Sequence, residues 1–253
     1  DCRLRTTTKF KIQSTGSVFA VGDDGRKVMV LFVPIKHIFL SLFVIASFHF
    51  GLPANASDLQ TQMENQAFKE AVEAIKDKNY AHAITLFEAQ AKMPRHDAQF
   101  NLAVLLNAGK GRPRNYVEAL FWSWQAQLGG IEDAEDLADD IVDLLPPKVA
   151  DEVRSRVGEA LQARIDANDL KAIPQFANYH LTILTEPDYA NAYIWYSIAA
   201  AINLPETNDA RDDAESQIDS KNLVELQMKT QALFDEYKFK PLPPKGKGGE
   251  NES

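Results

Sequence analysis

Cysteine is almost absent from this sequence, which has 253 residues and a single cysteine, Cys2. A disulfide framework is therefore excluded, because a bridge within the chain needs two cysteines. The charge balance excludes a general nucleic-acid coat, since 27 basic and 36 acidic residues give a formal net charge of −9 and binding to polyanions needs the opposite sign. What is present, 45% hydrophobic and 25% charged residues, is ordinary for a folded protein that buries a core.

Recognisable catalytic and metal-binding motifs are also missing. The sequence has no G-x-S-x-G elbow, no glycine-rich phosphate loop and no H-E-x-x-H pair. His82, His96 and His180 stand apart from one another, so no zinc ligand set is visible and no metal or cofactor is expected. Acidic residues within 132–143 fall between the apolar positions of one predicted helix, which favours a solvated outer face over a catalytic or calcium-binding cluster. The sequence thus predicts a protein that is not an enzyme.

The first 56 residues read as segments outside the fold. Residues 1–28 mix basic, polar and glycine residues without helix or strand periodicity, and they are interpreted as a non-native upstream extension. Residues 29–56 then combine a basic start, an apolar run at 38–48 and a small-x-small end at Ala56. This order is typical of a secretory signal peptide that is cleaved after Ala56. The alternative is an uncleaved membrane anchor, because the apolar stretch 28–50 is just long enough for a bilayer of about 30 Å.

Export would change both the charge and the setting of the protein. Residues 1–56 hold seven of the basic and three of the acidic residues, so the remainder carries 20 basic and 33 acidic residues, a net charge of −13. Such a charge favours solubility and repels nucleic acid and anionic lipid, so a membrane contact is expected only if the leader is retained. The remainder has no cysteine, which fits an oxidising compartment. The expected location is the bacterial periplasm or the outside of the cell, with an inner-membrane anchor as the alternative.

Residues 57–239 have the pattern of successive amphipathic helices. Apolar residues return every three or four positions, with clear stripes over 131–145, 149–161 and 223–237, and strand-type alternation is absent over any useful length. The predicted fold class is therefore all-α. Residues 240–253 are rich in proline and glycine and have no periodicity, so they are predicted to be a disordered tail.

One helical segment occurs twice. Residues 116–126 align with residues 189–199, which lie 73 positions later. Each copy has an alanine, an aromatic residue three positions on and a second alanine seven positions on, so the three share one helix face. The positions are Ala119, Trp122 and Ala126 in the first copy and Ala192, Trp195 and Ala199 in the second. Small residues allow a neighbouring helix to approach and the aromatic ring fills the groove, so stacked hairpins would share one core as a solenoid.

A glycine-rich turn precedes the first copy. Gly109 and Gly111 tolerate the positive φ that is needed where a helix stops and the chain reverses. Arg112 and Arg114 follow them and would suit an anion, but a helix-to-helix loop is the favoured interpretation.

Three stretches carry a resemblance to a known repeat family. The first runs Ala98-Gln99-Phe100-Asn101-Leu102-Ala103, then Gly109-x-Gly111, then Asn115-Tyr116, Ala119, Trp122 and Ala126. It resembles a Sel1-like repeat, a relative of the tetratricopeptide repeat. Residues 188–201 are similar to the second half of such a repeat, and residues 66–94 resemble a plain tetratricopeptide unit. The resemblance implies a solenoid of helical hairpins that mediates protein–protein interaction and the assembly of complexes, often at or beyond the inner membrane of bacteria.

Four aromatic residues lie on other faces of the repeated helices: Phe121, Trp124, Tyr193 and Tyr196. Wherever they are exposed they are candidate contacts for a partner, since rigid aromatic rings dominate interface energetics. The favoured function is an exported scaffold that binds one or more protein partners in the cell envelope. The alternative is a module that binds cell-wall glycan or peptide through these rings, and a hydrolase that uses acidic residues is the least favoured of the three.

Overall fold

The computed structural model describes residues 19–21, 27–29 and 55–243. The chain divides into two units, Asp1–Gly51 and Leu52–Ser253. In the first unit, strand β1 (Phe19–Val21) pairs with strand β2 (Lys27–Met29) in an antiparallel hairpin. This hairpin is not expected from the sequence, because three-residue strands are shorter than the runs over which alternation becomes visible.

The predicted leader lies largely outside the described residues. At its two ends, Met29 closes strand β2 and the predicted cleavage site after Ala56 falls within the first turn of a helix that begins at Asn55. Cleavage therefore stays a prediction. None of the helices in the described part of the chain is both long enough and apolar enough to cross a membrane.

Within residues 55–243, the second unit consists of ten α-helices joined by short connections. Their bounds are α1 (Asn55–Lys76), α2 (Tyr80–Ala91), α3 (His96–Ala108), α4 (Tyr116–Leu128), α5 (Asp133–Val142), α6 (Pro147–Asp166), α7 (Ala172–Thr182), α8 (Tyr189–Ala201), α9 (Thr207–Ser216) and α10 (Ser220–Tyr237). Each helix from α1 to α4 packs on the next one along the chain, and so does each helix from α6 to α8. Helix α4 also contacts α6 and α7, and α10 packs on α8. The predicted all-α fold of stacked helical hairpins is confirmed for this unit.

The internal repeat is visible in helix lengths and in helix caps. Helices α4 and α8 both have 13 residues, and α5 and α9 both have 10. Asn115 caps α4 by accepting a hydrogen bond from the backbone N–H of Glu118 at 3.1 Å. Asp188, 73 positions later, caps α8 in the same way through the N–H of Asn191 at 3.0 Å. Because such caps satisfy backbone donors that a helix start leaves free, both copies begin at the same register.

The glycine turn between α3 and α4 has the backbone geometry that its sequence predicts. Gly109 ends α3 in the left-handed region with a φ of 66°, and Gly111 has a φ of 80°. A Cβ atom on Gly111 would lie 2.5 Å from the carbonyl carbon of Tyr80. Glycine is therefore required at Gly111 both for its φ and for the close approach of the α2 backbone.

Two hydrophobic cores are built around the repeated helices. The first includes Phe87, Leu102 and Leu120, and the second includes Ile173 and Ile194. The alanines of the repeat, which are Ala119, Ala126, Ala192 and Ala199, have no exposed surface. These small side chains allow the close helix contacts on which the stacked hairpins depend.

The two repeat tryptophans differ in their burial. Trp195 is 6% exposed in the second core, whereas Trp122 is only half-buried at the edge of the first core, with its ring against Phe121. The expectation that core packing accounts for Trp122 is therefore only partly met.

The last residue of the predicted helical domain and the first residues of the predicted tail contact the fold. Phe239 is 6% exposed, and its ring stacks on that of Tyr237. Leu242 donates its N–H to the carbonyl of Ile202 at 3.0 Å and accepts a hydrogen bond from Asn203 Nδ2 at 2.9 Å. The backbone is thus hydrogen-bonded at Leu242 despite the prolines on either side, and disorder of the tail stays a prediction. Residues 244–253 lie outside the described residues.

Candidate binding cleft

Three of the four rings that the sequence nominates as partner contacts are buried. Trp124 and Tyr193 are each 4% exposed and Tyr196 is 8% exposed, whereas Phe121 is half-buried. The exposure that this hypothesis requires is therefore absent from the first three. Within the described residues, α4 packs against α3, α5, α6 and α7, so positions away from the repeat face are buried as well. The nearly continuous apolar sequence of α4 and α8 was the available signal, because a helix that is apolar all round is a buried helix.

The residues with metal-binding or catalytic potential do not come together. His82 lies at the surface beside Glu70, at 3.0 Å, while His96 and His180 are in other parts of the structure. No group of three or more His, Cys, Asp or Glu side chains within the described ranges is arranged to hold a metal ion. The acidic residues of α5 are exposed, while Ala134, Ala138 and Ile141 face the core.

An open cleft of about 490 Å³ lies between helices α6 and α7, and we call it the α6/α7 cleft. Its α6 wall is formed by Ser155, Gly158, Glu159, Gln162, Ala163 and Asp166. These positions recur at intervals of three and four residues, at 155, 158/159, 162/163 and 166, and therefore form one face over successive turns. Its α7 wall is formed by Phe176, Tyr179 and His180.

The aromatic wall is fixed where the two cores meet. Phe176 packs against both cores, and its ring lies 5.7 Å from that of Tyr179 and 5.2 Å from that of Trp195, centre to centre. The ring of His180 is 4.9 Å from that of Phe176 on the same helix. Because these rings support one another from two cores, the wall is preorganised rather than a set of loose surface side chains.

A glycine sets the depth of the cleft. A Cβ atom on Gly158 would lie 2.9 Å from the hydroxyl oxygen of Tyr179, so glycine is what allows this ring to lie against α6. The hydroxyl donates to the backbone carbonyl of Arg154 at 3.2 Å. Burial raises the pKa of Tyr179, so it stays a neutral phenol.

Asp166 closes one end of the α6 wall and is held by neutral donors. Its Oδ1 accepts hydrogen bonds from the Tyr237 hydroxyl and from Gln162 Nε2, each at 2.9 Å. Gln162 Nε2 also donates to the Tyr237 oxygen at 2.6 Å. Burial and the neighbouring Asp166 raise the pKa of Tyr237, so the hydroxyl remains a donor. The carboxylate is therefore oriented without being neutralised.

Glu159, two turns before Asp166, takes part in no hydrogen bond or salt bridge among the described residues. The arginines of α6 are paired with other acids. Arg154 pairs with Asp151 at 2.7 Å, Arg156 with Glu118 at 2.9 Å and Arg164 with Asp169 at 2.7 Å. The α6 wall is thus a negative surface that faces an aromatic one.

His180 is the buried polar group of the α7 wall. Its Nδ1 is buried without a hydrogen-bond partner in the described residues and lies 3.8 Å from Oδ2 of Asp188. Burial lowers the pKa of His180; Asp188 opposes this shift and Lys229 adds to it. The ring is therefore neutral at neutral pH and presents no positive charge to the cleft.

A second, smaller cavity of about 210 Å³ lies between α8 and α10. It is lined mainly by amides, hydroxyls and apolar groups: Tyr193, Ser197, Ile198, Ala201, Gln227, Thr230, Gln231 and Phe234. The hydroxyl of Ser197 is buried without a partner in the described part of the chain. Tyr193 thus lines a cavity although little of its surface is exposed.

Comparison with known proteins gives a distant likeness of fold. No protein-family model and no curated protein matches the chain. Among solved structures, the chain is similar to a protective antigen present in uropathogenic Escherichia coli strains that displays an SLR (Sel1-like repeat) fold. The identity is 18% and the TM-score 0.30, over 69% of this chain and 46% of that one, so the chain spans about half the length of the antigen. By its own ten described helices, residues 55–243 form an all-helical repeat structure.

Proposed function

We propose that the helical unit is a scaffold for protein–protein interaction and that a protein partner binds in the α6/α7 cleft. The observation that supports this function is the cleft itself, about 490 Å³ in volume. Its aromatic wall is fixed by two cores, and its carboxylates form no salt bridge with any cation of the described residues. Concave, mostly preformed sites of this size are where proteins bind ligands and peptide side chains. The proposal includes no catalytic activity and no cofactor.

The proposed setting is the bacterial cell envelope, reached by export. Support comes from the signal-peptide pattern of residues 29–56 and from the acidic, cysteine-free remainder. N-terminal sequencing of the protein from its own cells tests this part. A mature end at Ser57 would support export and cleavage, whereas an intact end at Met29 would point to the membrane-anchored alternative.

Site-specific photocrosslinking in cells tests the interaction. A photoreactive amino acid is placed at Ala163, an exposed position in the cleft, and, as the control, at Asp139, an exposed position on α5. One discrete adduct with a protein partner at position 163, absent at 139, is the expected result. No adduct at 163, or the same adducts at both positions, would contradict a partner site in the cleft.

The alternative function is binding of a cell-wall glycan or peptide fragment, and the second cavity is the feature that favours it. Hydroxyl and amide groups beside a tyrosine suit a neutral polar ligand. The buried hydroxyl of Ser197 has no hydrogen-bond partner in the described part of the chain, so a ligand could supply one. Retention on purified peptidoglycan that is lost in a Gln227→Ala, Gln231→Ala double variant, but kept in Glu159→Gln, would support this alternative. Equal retention of all three proteins, or none, would count against it.

A further inference from the structure

We propose, on the basis of the scaffold function above, that the partner presents a cationic peptide segment and that its Lys or Arg side chains bind Glu159 and Asp166 in the α6/α7 cleft. The charge of the cleft is the first argument. Both carboxylates are exposed on one face of α6, and the arginines nearest to them in sequence are already paired with other acids. A cationic segment would therefore meet negative charge that residues 55–243 leave without an ion pair.

The orientation of Asp166 is the second argument. Tyr237 and Gln162 each hold its Oδ1 through a hydrogen bond of 2.9 Å, and both donors are neutral. The second oxygen is left for a charged donor, and the entropy of positioning the carboxylate is already lost before a ligand arrives. Preorganised charge of this kind makes a salt bridge stronger than one between two freely moving surface groups.

The aromatic wall is the third argument. Phe176 and Tyr179 face the carboxylates across the cleft, so a guanidinium or ammonium group between the walls would lie near ring faces as well as near negative charge. The same protein already uses this geometry internally. Arg156 lies 4.7 Å from the ring centre of Phe121, and Arg154 lies 5.2 Å from that of Trp124.

The spacing of the carboxylates indicates the spacing of the cations. Glu159 and Asp166 are seven residues apart in one helix, which corresponds to about 10 Å along its axis. In a polyproline-II segment, with three residues per turn and a rise of about 3.1 Å per residue, side chains at i and i+3 share a face about 9 Å apart. The matching motif is therefore two cations three positions apart in an extended peptide. Lys229, whose charge helps to lower the pKa of His180, would repel a cation placed beside that ring.

Peptide binding to the full-length protein, measured by fluorescence anisotropy, tests the assignment. The probe is a labelled nine-residue Lys-x-x-Lys peptide, and a Glu-x-x-Glu peptide of the same length is its counterpart. We expect the lysine peptide to bind, the acidic peptide not to bind, and Glu159→Gln or Asp166→Asn each to weaken binding about fivefold. The matched control, Asp139→Asn on α5, removes one charge outside the cleft and is expected to bind like the wild type. Both cleft variants replace exposed side chains, and unchanged thermal unfolding would show that they fold.

Wild-type affinity in both cleft variants, or equal binding of the acidic peptide, would overturn the cationic assignment. If crosslinking at Ala163 still captures a partner in that case, the scaffold function stands and only the ligand chemistry fails. The tail carries Lys245 and Lys247, so the protein is also measured after deletion of residues 244–253. Unchanged affinity supports an external partner. An increase of tenfold or more would show that the tail of the same chain occupies the cleft, which would overturn the proposal of a separate partner.

Discussion

Gln175 donates its side-chain N–H to Nε2 of His96 over 3.0 Å, and this bond joins residues 79 positions apart. The direction of the bond is fixed at both ends. Arg164 donates to Oε1 of Gln175 at 2.7 Å, so the amide nitrogen must face the histidine. On the other side, His96 Nδ1 donates to Oε1 of Gln99 at 2.8 Å, and Gln99 donates to the carbonyl of Ala91 at 3.0 Å. This chain of hydrogen bonds links α6, α7, α3 and the end of α2, and it needs a neutral His96.

Acid is therefore expected to destabilise the fold through His96. Burial lowers the pKa of His96 below its ordinary value of 6.5; Gln99 opposes this shift and Arg164 adds to it. The folded state then binds a proton less readily than the unfolded chain, so stability is fully present above pH 6.5 and is lost as the pH falls below it. The loss for one such histidine approaches about 1.4 kcal/mol per pH unit. Urea unfolding at several pH values between 8 and 5 measures it.

The variant His96→Gln removes the titrating ring. The slope of unfolding free energy against pH should therefore decrease by the contribution of one histidine. Burial also lowers the pKa of His180, so His180 makes its own contribution to this slope, and the His96→Gln variant retains it. His82→Gln is the control, because His82 is exposed on α2 and lies outside the chain of hydrogen bonds. A pH slope that is equal in the His96→Gln variant and the wild type would contradict the requirement for a neutral ring.

Two adjacent glycines are expected to tolerate alanine very differently. A Cβ atom on Gly129 would lie 1.9 Å from Cγ of His96, so Gly129→Ala forces this half-buried ring to move and should cost about 3 kcal/mol. A Cβ atom on Gly130 meets nothing within 4 Å, but its φ of 88° is unfavourable for alanine, so Gly130→Ala should cost about 1 kcal/mol. Thermal and urea unfolding compare the two, and a larger loss for Gly130→Ala would be inconsistent with the packing of His96.

Trp124 is expected to matter for stability rather than for binding. It is 4% exposed with Arg154 over its ring, so Trp124→Ala should lower the free energy of unfolding by about 3–5 kcal/mol. Phe121→Ala, at a half-buried ring on the same helix, should cost less than half as much. Urea unfolding gives both values. Equal losses would mean that the two rings are equally buried in solution.

The sequence was sufficient for the helices and for the repeat, because both depend on periodic positions. The alanines at 119, 126, 192 and 199 are all fully buried, and the turn glycines have positive φ. Burial of Trp124 was not predicted, because it depends on how many neighbours surround α4, which is a property of tertiary packing. The α6/α7 cleft was also missed, because its walls are two helices whose facing residues have no shared pattern. Gly158 within a helix was the available signal, since an isolated glycine there usually marks a close approach.

The repeat itself makes a prediction about equivalent alanines. Ala126 and Ala199 are 73 positions apart and neither has exposed surface, so a leucine at either site must displace a packed neighbouring helix. Ala126→Leu and Ala199→Leu should each cost about 1–3 kcal/mol, and the two losses should be similar because the sites are equivalent. Ala232→Leu, at an exposed position on α10, is the matched control and should change stability little, since its side chain extends into solvent. If Ala199→Leu cost no more than Ala232→Leu, small side chains would not be what brings α8 close to its neighbours.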